Sequence, residues 1–322
     1  MSSVRYGNLF VGLFVIVALT ACSTGRSNEA SIEYVARPAY EDITPVAQLT
    51  ATPIPLPEPE FFISKSTIPH GGTLLISVVG SVIRGTVTFL NIELPLTRGD
   101  RSYYTFVPIS RTVPIGMERI VIRVVYSNEV EFEEERIVQI VGREWSFYDF
   151  SGDNFENPTL LSRIQREDED ATLKATFDRI SPVKLWKDGP WLEPLHFDAL
   201  ITSEFGEERD YGDGLTRYHE GVDFSADVGT PIYASNSGQV VLARQLSLRG
   251  NYVAIDHGGG LYSAYGHLST FASAEGQMVG TGDLIGYVGQ SGLSTGAHLH
   301  WEIIAHGISV DPLLFTNGAN GF

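Results

Sequence analysis

The apolar positions of this chain change their spacing several times between its ends. Residues 9 to 19, LFVGLFVIVAL, form an unbroken apolar run. It has the length of a secretory signal's core and falls short of the roughly 20 residues a membrane span needs. Residues 23 to about 60 turn polar and then proline-rich, ending in TPVAQLTATPIPLPEPE. Such a segment favours extended polyproline geometry over a packed core, which reads as a tether. Residues 61–143 alternate apolar and polar positions in short runs: TLLISVVG, GTVTFLN, SYYTFVPIS, ERIVIRVVY and VEFEEERIVQIVG. Turn residues separate these runs, and the pattern predicts a β-sandwich of immunoglobulin-like type. Residues 144–191 read as a linker. Within it Leu160, Leu161, Ile164, Leu173 and Phe177 fall at helical spacing, and LWKDGPWLEPLHF follows as a connection. From 192 to 322 the chain returns to strands and tight turns, without the helical crossovers a parallel sheet requires. The predicted fold class is mainly all-β: an antiparallel sheet domain preceded by a sandwich and a short helical linker.

At 322 residues the chain is long enough for two folded domains. Its formal net charge of -17 argues against a nucleic-acid partner, whose phosphates call for a basic surface, and against attraction to anionic lipid. Cys22 is the single cysteine, so no disulfide is available. Leu19, Thr20, Ala21 and Cys22 resemble the lipobox of bacterial lipoproteins. That resemblance implies a signal peptide over residues 1–21 and an acylated Cys22. It further implies a tether over 22–60 and an extracytoplasmic protein held to a membrane by its N-terminal lipid. Ser23 follows the cysteine, and the sequence does not say which membrane is used.

The candidate chemistry lies in the last domain. In TGAHLHWEI, residues 295 to 303, a strand would send Leu299, Trp301 and Ile303 to one face and His298 and His300 to the other. In RYHEGVDF, His219 and Asp223 stand four apart, too far for one metal on a flat strand; Gly221 between them permits a bend. Imidazole nitrogens with a carboxylate oxygen suit zinc, which in catalytic sites takes three protein ligands and leaves a fourth position open. His219, Asp223, His298 and His300 are four candidates for three places, and spacing alone does not choose among the imidazoles. A surplus histidine, with His267 of YGHLS, is then free for proton transfer. The remaining histidines read as structural or solvated: His70 in a turn, His257 in a turn or a structural role, His196 without a spacing partner, and His306 in a solvated hairpin turn. Asp210 and Asp213 are too few oxygens for a calcium loop. Glu133, Glu134 and Glu135 read as a solvated strand edge, and the EDED run at 167 to 170 as a solvated helix face.

HEGVDF, YGHLS and STGAHLHWEI together resemble the signature segments of the lysostaphin/LytM-type zinc endopeptidases of bacterial cell walls. GTPIYASNSGQVV and GDLIGYVGQSG resemble that family's framework. The resemblance implies one zinc ion on His219, Asp223 and His300, with His267 and His298 in the catalytic roles. It implies peptidoglycan peptides as substrate, in cross-bridges or stem peptides. Its alternative is a catalytically silent wall-binding protein or activator of other hydrolases. Loop position suggests Tyr211 and Tyr218 as groove residues. A serine-hydrolase reading rests on Gly292, Ser294 and Gly296 as G-x-S-x-G, an elbow that needs a helix after the serine, where HLHWEI reads as a strand.

Overall fold

The structure is a computed structural model that describes residues 56–149, 163–210 and 216–322. The expectations for the signal run, Cys22, the tether up to 55, Leu160, Leu161, Tyr211 and Asp213 fall outside these residues. Residues 55–322 form one compact unit. Among the described residues no helix is long and apolar enough to cross a membrane.

The first part is built from two sheets. One has four strands in the order Glu60–Ile63, Thr73–Val79, Tyr103–Pro108, Thr97–Arg98. The other has five, in the order Thr67–Pro69, Glu131–Val141, Gly116–Tyr126, Val82–Phe89, Ile92–Pro95. Leu74, Ile76, Val78 and Val107 of the first meet Val87, Phe89, Ile120, Ile122, Val124, Val138 and Ile140 of the second in one buried cluster. The alternation of apolar side chains along each strand makes this possible.

The four-stranded sheet is buried on its other face too. Leu75 lies opposite Phe106 in the register, and both join a second cluster with Tyr104, Trp186, Trp191 and the core of the last domain. The sequence pattern predicts alternation for Tyr103–Pro108, yet the strand is buried along nearly its whole length, because a strand covered on both sides has no solvent face. Further contacts cross the same boundary. Thr73 N donates to Asn320 Oδ1 at 3.1 Å, Thr105 Oγ1 lies 3.0 Å from His306 Nε2, and Arg143 pairs with Asp311. His306 is therefore partly buried against the sandwich, and the expectation of a solvated turn is corrected.

The last domain is a ten-stranded sheet. Its main path runs Ile201–Ser203, Val222–Ser225, His298–Ala305, Leu261–Phe271, Asn251–Gly258, Gly238–Gln245, Met278–Val279, and every pairing in it is antiparallel. One of its faces carries Val222, Phe224, Leu299, Trp301 and Ile303, all at most 2% exposed. The linker helix, Arg163–Phe177, packs Leu173 and Phe177 against Tyr252, Tyr262 and Ile304 on this sheet. Its acidic run is not wholly solvated as expected: Glu169 is 3% exposed.

Candidate metal centre

Strand pairing brings the predicted residues together. Asp223 lies directly opposite His300 in the register of two central strands, and Ser225 lies opposite His298. The chain bends between Tyr218 and Val222, so that His219 folds back beside Asp223. Gly221 makes the bend possible. A side-chain carbon there would lie 2.9 Å from His300 Cε1 and 3.0 Å from Glu302 Cγ, and closer still to the Trp301 carbonyl oxygen.

Three donor atoms converge. His219 Nε2 stands 3.0 Å from Asp223 Oδ1 and 3.0 Å from His300 Nδ1, and His300 Nδ1 stands 2.7 Å from Asp223 Oδ1. The opposite nitrogen of each imidazole is already committed. His219 Nδ1 donates to the Glu204 carbonyl at 2.9 Å, and His300 Nε2 donates to Glu302 Oε1 at 2.7 Å. In the neutral rings, lone pairs of His219 Nε2 and His300 Nδ1 then face each other and a carboxylate. Atoms this close need a positive charge among them, a proton on His300 Nδ1 or a metal cation in its place, and a tetrahedral zinc with bonds of about 2.0–2.1 Å suits nitrogen and oxygen donors of this kind. His219, Asp223 and His300 are the group of metal-binding geometry found among the described residues, and they form a zinc site.

The electrostatics agree. Burial opposes charge on His300, but the hydrogen bonds to Asp223 and Glu302 more than offset it and raise the imidazole to about 9. Burial also resists ionisation of Asp223, yet the neighbouring His219 and His300 hold it well below the usual carboxylate range. His219 is lowered, chiefly by burial. The site is poised to hold positive charge between its ligands.

A supporting layer surrounds the ligands. Arg209 Nη2 donates to Asp223 Oδ2 at 3.1 Å and to Ser203 Oγ at 2.6 Å. Arg249 Nε donates to Glu302 Oε1 at 2.8 Å. Neither Arg209 nor Arg249 carries a signal in the sequence. Glu302 does, because strand alternation sets it on the same face as His298 and His300.

Two further imidazoles border the centre. His298 Nε2 lies 3.8 Å from Asp223 Oδ1, and its Nδ1 donates to the Gly296 carbonyl at 2.9 Å. His267 Nδ1 donates to the Ser291 carbonyl at 2.7 Å, and its ring lies 4.7 Å from that of His298. A carbonyl can only accept, so both rings carry their proton on Nδ1 and present Nε2 as a base. His267 adopts φ +62°, a left-handed conformation that costs a histidine about 1–3 kcal/mol. Its backbone N donates to the Arg249 carbonyl at 2.8 Å, which helps to hold it there. Burial, then the neighbouring His298 and His300, lower His267 to about 3, and burial lowers His298 as well. Both are neutral at pH 7.

The other sequence candidates take structural places. His257 is fully buried, with Nδ1 donating to the Ser237 carbonyl and Nε2 2.8 Å from Ser263 Oγ. His196 stacks on Tyr233, and His70 Nε2 donates to the Val113 carbonyl at 2.8 Å. Ser294 Oγ donates to the Gly296 carbonyl, and a strand follows it rather than a helix, so the elbow geometry is absent. Tyr218 is exposed at the edge of the site and packs under the guanidinium of Arg111, 4.0 Å from its ring centre. Arg111 also donates to the Gly206 carbonyl and to Glu208.

Residues 217–312 match the model of Peptidase family M23. A segment of 127 residues is 40% identical to DD-carboxypeptidase/endopeptidase Mpg of Neisseria meningitidis, covering 39% of this chain and 29% of that protein. Another of 95 residues is 43% identical to peptidoglycan DD-endopeptidase ShyA of Vibrio cholerae, covering 30% of this chain and 22% of that protein. The chain thus spans under a third of the length of these relatives. A Pseudomonas aeruginosa crystal structure that carries a provisional peptidase M23 name is similar over 77% of this chain and 93% of its own, at 26% identity and a TM-score of 0.56. That likeness extends beyond the sheet domain into the sandwich.

Proposed function

We propose that the chain is a zinc-dependent endopeptidase that hydrolyses peptide bonds of peptidoglycan, in cross-bridges or stem peptides, since residues 217–312 match the model of Peptidase family M23. The observation that carries this reading is the convergence of His219 Nε2, Asp223 Oδ1 and His300 Nδ1 beside two neutral imidazoles. The name of the ShyA relative supports the substrate class.

His219, Asp223 and His300 would hold the metal. When bound, zinc supplies Lewis acidity toward a carbonyl and lowers the pKa of water toward about 7. Hydrolysis adds water to the scissile carbonyl carbon, breaks the C–N bond and delivers a proton to the departing amine. One of His267 and His298 takes the proton from the attacking water through Nε2. The other stabilises the oxyanion or hands a proton to the amine once its own Nε2 has received the proton taken from the water. The carbonyls of Ser291 and Gly296 fix both rings in the tautomer this needs. Tyr218 lies at the entrance and contacts the substrate chain.

In the same reading the activity lies outside the cytoplasm. The signal over 1–21, acylation of Cys22, the tether over 22–60, the immunoglobulin-like character of 61–143, the linker over 144–191 and the peptidase limits of 192–322 belong to this proposal. The catalytically silent alternative has no observation in its favour, since the donor set is complete. The test is release of soluble peptides from purified cell wall. Release should stop with a chelator and return with zinc. Release that a chelator leaves unchanged would refute the proposal, and the masses of the fragments identify the bond.

A further inference from the structure

The linker helix reaches the metal centre through one buried carboxylate. Glu169 is 3% exposed, although it sits in the most acidic run of the helix. Its Oε2 accepts the backbone N–H of Leu248 at 2.6 Å. Its Oε1 accepts the backbone N–H of Arg249 at 3.3 Å and the guanidinium Nη1 at 3.2 Å. A single side chain thus fixes both the backbone and the side chain of Arg249.

Arg249 in turn faces two parts of the site. Its Nε donates to Glu302 Oε1, the oxygen that accepts His300 Nε2–H. Its carbonyl accepts the backbone N–H of His267, the residue held at φ +62°. Its remaining Nη2 pairs with Glu220, next to the ligand His219. The chain of contacts therefore runs from the helix to Arg249, and from there to a metal ligand on one branch and to a candidate proton carrier on the other. Glu169 lies outside residues 217–312, so it stands apart from the family segment.

A buried guanidinium among three carboxylates keeps its position only while each partner is present. Removing Glu169 leaves the guanidinium paired with Glu302 and Glu220 but takes away the partner that ties it to the helix, and buried donors left without an acceptor are costly. Without Glu169, two backbone N–H groups and one guanidinium N–H lose their acceptor, and the Arg249 turn is free to move. Glu302 then loses its orientation, and His300 with it.

We propose that Glu169 is a positioning residue for the metal centre: the linker helix braces His300 and His267 through Arg249. The proposal rests on the metal reading of His219, Asp223 and His300.

The test uses the full chain and zinc alone, with affinity measured by competition against a chromophoric chelator and folding followed by circular dichroism. Glu169→Gln should weaken zinc binding roughly 10-fold, while the neighbouring exposed Asp170→Asn stays within about two-fold of the parent chain. Combining Glu169→Gln with Glu302→Gln should cost less than the product of the single losses, since both act through Arg249. A folded Glu169→Gln chain that binds zinc as tightly as the parent overturns the proposal while leaving the metal site standing. A parent chain that takes up no zinc overturns both. If Glu169→Gln does not fold, Glu169→Asp decides: it keeps the charge and shortens the reach, so unchanged zinc affinity there overturns the brace.

Discussion

Gly221→Ala is the sharpest small perturbation of the metal centre. The added methyl would stand 2.9 Å from His300 Cε1 and 3.0 Å from Glu302 Cγ. Carbon atoms pack best at about 3.5–4.0 Å, so the methyl intrudes by roughly 0.5–1 Å. The Trp301 carbonyl on the same side belongs to a central strand that is paired on both edges, and it cannot yield without breaking the ladder. The displacement must therefore fall on the bend that carries His219, on the His300 ring, or on both. A zinc site tolerates about 0.2 Å of misplacement in its ligands, several times less than the intrusion. Overpacking of this kind costs about 1–3 kcal/mol. In a unit of this size each kcal/mol lowers the melting temperature by about 2–4 °C. Zinc affinity should fall by at least about 10-fold, as it does when the support of a ligand is lost. Thermal unfolding with and without zinc, together with chelator competition, measures both effects. A Gly221→Ala chain with unaltered melting temperature and zinc affinity would refute the packing argument and the geometry built on it.

The remaining predictions separate roles within the site and within the core. His219→Ala should lose zinc and wall-peptide release together. His298→Ala should retain zinc and lose about 10²–10⁴-fold in release, and loss of the metal from His298→Ala would mean that ligand and proton carrier have been exchanged. Stability should fall in acid because of His257, which burial lowers to about 4 against an ordinary value near 6.5. The folded ring stays neutral while the unfolded ring takes a proton. Its contribution is therefore intact above about pH 6.5 and is lost progressively as the pH drops toward 4, to a total of about 3 kcal/mol. Urea unfolding of the parent chain across that window should be steeper in pH than that of His257→Gln, and parallel curves would contradict the assignment.

The parts of the site that could be read from the sequence are those that obey local periodicity. HLHWEI declares its two faces by alternation alone, and Leu299, Trp301 and Ile303 are fully buried as that alternation requires. The His219 and Asp223 pair needed a bend that Gly221 only permits; the structure supplies it. Glu302 could have been found by carrying the alternation one step further. Arg209, Arg249 and Glu169 could not, because their partners lie up to 80 residues away and their neighbourhoods have no distinctive spacing. Glu169 was hidden by its company: in a run of four acids, nothing local separates the buried one from the solvated three. His306 misled for a similar reason. AHGIS is a turn by every local signal, and only the arrival of Thr105 from the sandwich covers it. The strand Tyr103–Pro108 shows the same limit, since a second covering layer is a property of the assembled molecule.

That doubly covered sheet changes what can be removed from this protein. Tyr104 and Phe106 share one buried cluster with Trp186, Trp191 and the core of the last domain, so the boundary between the halves is not a seam. Cutting the chain there would leave raw apolar flanks on both fragments. Exchanging the front half for another would require a replacement floor for the last domain's sheet, supplied by side chains that cover it as Tyr104 and Phe106 do here.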